Sequence, residues 1–132
     1  MTAYPLTAGV TLLVVLLLFY TMVGVGQARK RFGIRAPAIS GHEAFERAYR
    51  VQMNSLEWAT MFLPTLWLLA AYVADRAALA VGLCGLAGRL WYALAYVRNP
   101  AARSGGFMLG MLAFAAAGLG AGIGVARVVF GF

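Results

Sequence analysis

Acidic side chains are scarce: Glu43, Glu46, Glu57 and Asp75 are the whole set in 132 residues, against eleven lysines and arginines. Cysteine and histidine occur once each, as Cys84 and His42. A lone cysteine excludes a disulfide framework, and one histidine leaves a transition-metal site almost without ligands, so no metal is expected. Charge of either sign makes up only 11% of the chain while 63% is hydrophobic. That is too little charge to cover a soluble domain. The composition describes an all-α integral membrane protein, and residues 1–132 fit one domain.

The net charge of +7 does not point to nucleic acid. The bases sit at the ends of hydrophobic runs, where they orient membrane helices, rather than on a patch interleaved with aromatics. A span needs roughly 20 apolar residues, and spans are expected at about 5–26, 45–74, 76–97 and 105–130. The opening run lacks the basic flank of a signal peptide and is read as a retained first span. The loop "RKRFGIRAPAISGHEA" and the loop "RNPAARSGG" are basic and carry Pro and Gly, whereas the link between spans two and three is only "ADR". The positive-inside rule then puts loops one and three in the cytoplasm and both termini on the opposite side.

Small residues recur in the last two spans. Gly118/Gly122 and Gly120/Gly124 are spaced for close helix approach, and Gly82, Gly85 and Gly88 line another face. Packing within one four-helix bundle accounts for them, although so slim a bundle also invites oligomerisation.

The stretch "FERAYRVQMNSLEW" places costly polar groups at the mouth of the second span. At ~100° per residue, Arg47, Arg50, Asn54 and Glu57 fall within an arc of about 80°, and Gln52 points almost the opposite way. Arg89, Tyr92 and Tyr96 share a face of the third span by the same geometry. Charged groups at membrane depth mark a site or an internal pair. Glu57 neutralising Arg50 or Arg89, with the tyrosines as an interfacial belt, is the plainer account. It leaves Asn54 and Gln52 without a purpose. Arginines grip carboxylates, and a carboxylate among them suits an ammonium group. Glutathione offers both, together with a thiol.

"FERAYRVQMNSLE", followed by "LPTLW", "GRLWYALAY" and "RS", resembles the MAPEG family, the membrane-associated proteins of eicosanoid and glutathione metabolism. The resemblance is greatest to its leukotriene C synthases and microsomal glutathione transferases. It implies a homotrimer with one glutathione site at each subunit interface. It further implies that Arg50, Asn54, Glu57, Trp58, Tyr92 and Tyr96 bind glutathione, with Arg29 and Gln52 reaching in from a neighbouring subunit. Arg103 would be the catalytic residue that holds the thiol sulfur, Ser104 could add a hydrogen bond, and Arg47, Arg89 and Lys30 would support the site.

Three positions depart from the leukotriene-forming pattern. Trp58 stands where a tyrosine is usual, and its indole can donate but not accept. Lys30 replaces a loop arginine, and a proline is displaced to Pro64, where a kink is expected. The resulting expectation is a glutathione transferase that conjugates hydrophobic electrophiles, with peroxidase activity on lipid hydroperoxides open to the same thiolate. A non-catalytic lipid-binding scaffold of the same family is the alternative. A small multidrug transporter is a weaker one, because the first span carries no carboxylate.

Overall fold

The computed structural model describes residues 3–132. Four long helices run through it: α1 (Pro5–Phe32), α2 (Glu43–Tyr72), α3 (Asp75–Arg98) and α4 (Ser104–Phe130), with a single 3-10 turn over Pro100–Arg103 before α4. Three of the boundaries have a clear local cause. Pro5 occupies the first turn of α1, where its missing N–H costs nothing. Gly33 ends that helix at φ 64°, a left-handed conformation open to glycine, and its N–H bonds to the Arg29 carbonyl. His42 caps α2 by accepting the Ala44 N–H on Nδ1 at 3.1 Å, and Glu43 and Glu46 complement the positive helix start.

Helix α1 runs past the expected end at residue 26 and carries the basic segment "QARKRF" as helix to Phe32. Its far end is held by another element. The Asp75 carboxylate, at the start of α3, accepts bonds from the Leu6 N–H (3.0 Å), the Thr7 N–H (2.9 Å) and the Thr7 hydroxyl (2.6 Å). The amides that no turn of α1 can satisfy are therefore capped across the bundle.

Val10 and Val14 of α1, Phe62, Leu66 and Leu69 of α2, Ala78 of α3 and Ala113, Ala117 and Ala121 of α4 form the core. The outer surface is also apolar: Leu12, Leu16, Leu119 and Val128 are each exposed. A hydrocarbon solvent explains that exposure, since lipid does not penalise it. Helices α3 and α4 approach closely because a Cβ on Gly88 would lie 2.6 Å from the Gly110 amide nitrogen. On α4, Gly120 and Gly124 face Leu69 and Tyr72 of α2, whereas Gly122 faces open space. Of the two glycine pairs, Gly120/Gly124 packs within the chain and Gly118/Gly122 does not.

Helices α1 and α3, and α4 with its preceding turn, are long and apolar enough to cross a membrane. The expected second span differs. From Trp58 to Tyr72 the charge-free part of α2 extends about 22 Å at ~1.5 Å per residue, short of a ~30 Å hydrocarbon core. Its first half carries Glu43, Glu46, Arg47, Arg50 and Glu57. Pro64 lies inside α2, and the helix continues through it to Tyr72.

Candidate functional site

Helix α2 positions Arg50, Asn54 and Glu57 on successive turns. Arg50 and Glu57 are exposed, while Asn54 between them is half-buried. The Asn54 Nδ2 donates to the Tyr92 hydroxyl at 2.6 Å, which fastens the stripe to α3. Tyr92 is buried, and one turn further on Tyr96 packs against it with ring centroids 5.5 Å apart. The Arg103 guanidinium lies 5.9 Å from the Tyr96 ring centre and donates to the Pro100 carbonyl at 3.2 Å. Asn54, Tyr92, Tyr96 and Arg103 thus form a continuous series from α2, across α3, to the turn before α4. Ser104 follows Arg103 as the exposed first residue of α4.

Behind that series sits Arg89, only 1% exposed. Its guanidinium donates to the Ser55 hydroxyl at 3.2 Å and lies over the rings of Tyr92 (4.1 Å) and Trp58 (5.6 Å). Its Nε has no hydrogen-bond partner. Glu57 is not in an ion pair with Arg50 or Arg89. Among the described residues the ion pair formed is Arg47 with Glu43, one turn apart on the exposed start of α2. Arg89 is thus held by a hydroxyl and two π-faces instead of a carboxylate, and Arg47 supports its own helix.

Trp58, which the family resemblance implies would touch glutathione, is buried within the single chain. It is 3% exposed, its Nε1 donates to the Gly110 carbonyl at 3.1 Å, and its ring stacks on Phe62 at 4.4 Å. Within the chain the indole thus joins α2 to α4 through its N–H, with Phe62 stacked on its ring.

Gln52 and Arg29 lie away from the stripe within the chain. Gln52 borders an apolar groove of about 380 Å³ with Val15, Leu18, Phe19 and Leu56, on the α1 side of α2. Arg29 donates to the Ala38 carbonyl at 2.7 Å and lies over the Phe45 ring at 4.8 Å, bracing the first loop. Lys30 is exposed beside it. Sequence reasoning passed over Ser55, Gly110 and Phe45, the partners of Arg89, Trp58 and Arg29. A small polar residue next to Asn54, opposite a buried cation, was a usable signal for Ser55. Nothing in the sequence marks the Gly110 carbonyl.

The MAPEG family profile matches residues 7–123. An uncharacterized protein of Synechocystis is 42% identical over 103 residues, covering 78% of this chain and 75% of that protein. Leukotriene C4 synthase of Cavia porcellus is 41% identical over 98 residues, 74% of this chain and 65% of the synthase. Human microsomal glutathione S-transferase 2 is 32% identical over 108 residues, 82% of this chain and 74% of the transferase. The aligned part therefore spans just under two thirds of the synthase. With apolar helices over most of its length and the family profile matched nearly end to end, the chain is an integral membrane protein that belongs to the MAPEG family.

Proposed function

We propose that the protein is a membrane-bound glutathione transferase that joins the glutathione sulfur to hydrophobic electrophiles. The observation that carries this reading is the Asn54–Tyr92 hydrogen bond. Through it an exposed cation and carboxylate, Arg50 and Glu57, stand beside a tyrosine pair that leads to a second cation, Arg103. Glu57 suits the glutathione ammonium, Arg50 a carboxylate, and Arg103 the sulfur. Relatives named for glutathione transfer and leukotriene C4 synthesis add support.

Within one chain Arg50 and Glu57 are open to the surroundings. In the proposed homotrimer, Arg29 and Gln52 of an adjoining subunit close each site. Loops one and three face the cytoplasm, where glutathione enters, and the electrophile arrives laterally from lipid.

Free thiols are only a few per cent ionised at neutral pH, and the thiolate is the nucleophile. A guanidinium at the sulfur lowers the thiol pKa. Two pH units correspond to roughly 2.7 kcal/mol of preference for the anion. The thiol proton leaves to solvent, the thiolate attacks an electrophilic carbon, and a C–S bond forms. The displaced group departs with the electron pair, or a ring-opened oxygen keeps it and takes up a proton. With a lipid hydroperoxide the same thiolate attacks the terminal oxygen, the O–O bond breaks and the alcohol leaves; a second glutathione thiol then displaces water from the resulting sulfenic acid to form a disulfide.

Glutathione consumption by purified, detergent-solubilised protein with a generic aromatic electrophile tests the proposal. Turnover above the uncatalysed rate is expected. Absence of both turnover and glutathione binding contradicts it.

A further inference from the structure

A second cavity, of about 680 Å³, lies between the C-terminal half of α1, the start of α2 and the end of α3. It shares no residue with the Arg50–Asn54–Glu57 stripe or with Tyr92, Tyr96 and Arg103. Small side chains create it. Gly24 and Ala28 on α1, Ala44 and Ala48 on α2 and Ala93 on α3 meet where larger residues would fill the space. A Cβ placed on Gly24 would find nothing within 4 Å. From Tyr20 to Phe32 the groove follows α1 for about 18 Å at ~1.5 Å per residue.

The two ends of the groove differ in chemistry. Its body is bordered by Val23, Leu94 and Val97, all exposed, so it opens sideways toward lipid. At the loop end stand Arg31 and Arg98, both exposed, with the Gln27 amide beside them. Among the described residues no acidic side chain lines the cavity. The bases also complement the negative ends of their helices, but that role does not require them to share one apolar groove.

We propose that this groove is a binding site for an anionic membrane phospholipid, with an acyl chain lying along Val23 and Leu94 and the phosphate held by Arg31 and Arg98. Arginine pairs suit phosphate oxygens, and basic pockets between membrane helices take anionic headgroups. A choline or ethanolamine headgroup would bring an ammonium that no carboxylate here can receive. Polar lipid also lies at this depth, where α1 and α3 leave the apolar layer.

The groove touches the proposed glutathione site through one wall. Val51 and Ala93 line the groove and pack directly on Tyr92, with Tyr96 against the same cluster. A bound acyl chain therefore braces the back of Tyr92. Lipid binding itself stands on the cavity alone and does not depend on the transferase reading.

Native mass spectrometry of the purified protein, titrated with dioleoyl phosphatidylglycerol or dioleoyl phosphatidylcholine in mixed micelles, tests the site. Preferential retention of phosphatidylglycerol is expected. Each base contributes about fivefold, so the Arg31→Gln/Arg98→Gln double variant weakens retention by about twenty-five-fold. Gly24→Leu, which fills open space, also abolishes retention while leaving the melting curve unchanged. Equal retention of the two lipids, or undiminished binding in both variants, overturns the proposal. So does competition by glycerol phosphate as effective as by the whole lipid, which would make the occupant a soluble anion. A change of oligomer mass in Gly24→Leu without lipid loss would make it a second copy of the chain.

Discussion

The Asn54 amide and the Tyr92 hydroxyl, separated by 38 positions in sequence, meet at 2.6 Å and fasten the polar stripe of α2 to the aromatic face of α3. Tyr92→Phe removes the acceptor while preserving the ring. A neutral hydrogen bond of this kind is worth about 1 kcal/mol. The variant is expected to fold, to lose that much stability, and to bind glutathione about fivefold more weakly as Asn54 loses its anchor. Paired thermal melts and binding isotherms check both effects.

Trp58 joins α2 to α4 through the Gly110 carbonyl. Trp58→Phe keeps most of the buried ring and deletes the donor, leaving that carbonyl with only its helical partner. The expected cost is about 1 kcal/mol of stability, with glutathione affinity within about twofold of the parent. A large affinity loss at unchanged stability would return the indole to the site.

Arg89 is a buried cation held by Ser55 and two aromatic faces, with one nitrogen unpartnered. Replacing such a group by an apolar side chain of similar size is often stabilising. Arg89→Met is therefore expected to raise stability by about 1 kcal/mol. Turnover should fall, because Tyr92 loses the guanidinium beneath its ring. Melting temperature and turnover moving in opposite directions is the signature to seek.

Asp75 caps α1 from the start of α3. Asp75→Ala frees the Leu6 and Thr7 amides. Faster hydrogen exchange at the first turn of α1, with a lower melting temperature, is expected. Glutathione affinity should not change, because the stripe lies far along α2.

Much of the site geometry was legible because helical periodicity is a local property. The ~100° step separates Gln52 from Arg50 and gathers Arg89, Tyr92 and Tyr96 on one face. The structure has Gln52 on the α1 side of α2, and Arg89, Tyr92 and Tyr96 in one cluster. Periodicity does not say which neighbour a face will meet. The resemblance implies a glutathione contact for Trp58, and periodicity gives no sign that its N–H meets α4, where glycines let the backbone come close enough to accept it. Asp75 looked like a loop charge because its partners lie some 68 positions away. Helix α1 outlasts the span expected over 5–26 for a different reason: a run of bases ends a membrane span without ending a helix, and Gly33 provides the stop.

Arg103 as the thiol activator is the central claim. Ultraviolet difference absorbance of bound glutathione, followed across pH in the parent protein, Arg103→Ala and Glu57→Ala, addresses it most directly. The account predicts a thiolate signal at neutral pH in the parent that moves at least one pH unit upward in Arg103→Ala, roughly 1.4 kcal/mol. Affinity should be largely retained in that variant and lost in Glu57→Ala. A thiolate signal with the same pH dependence in the parent and in Arg103→Ala would contradict it.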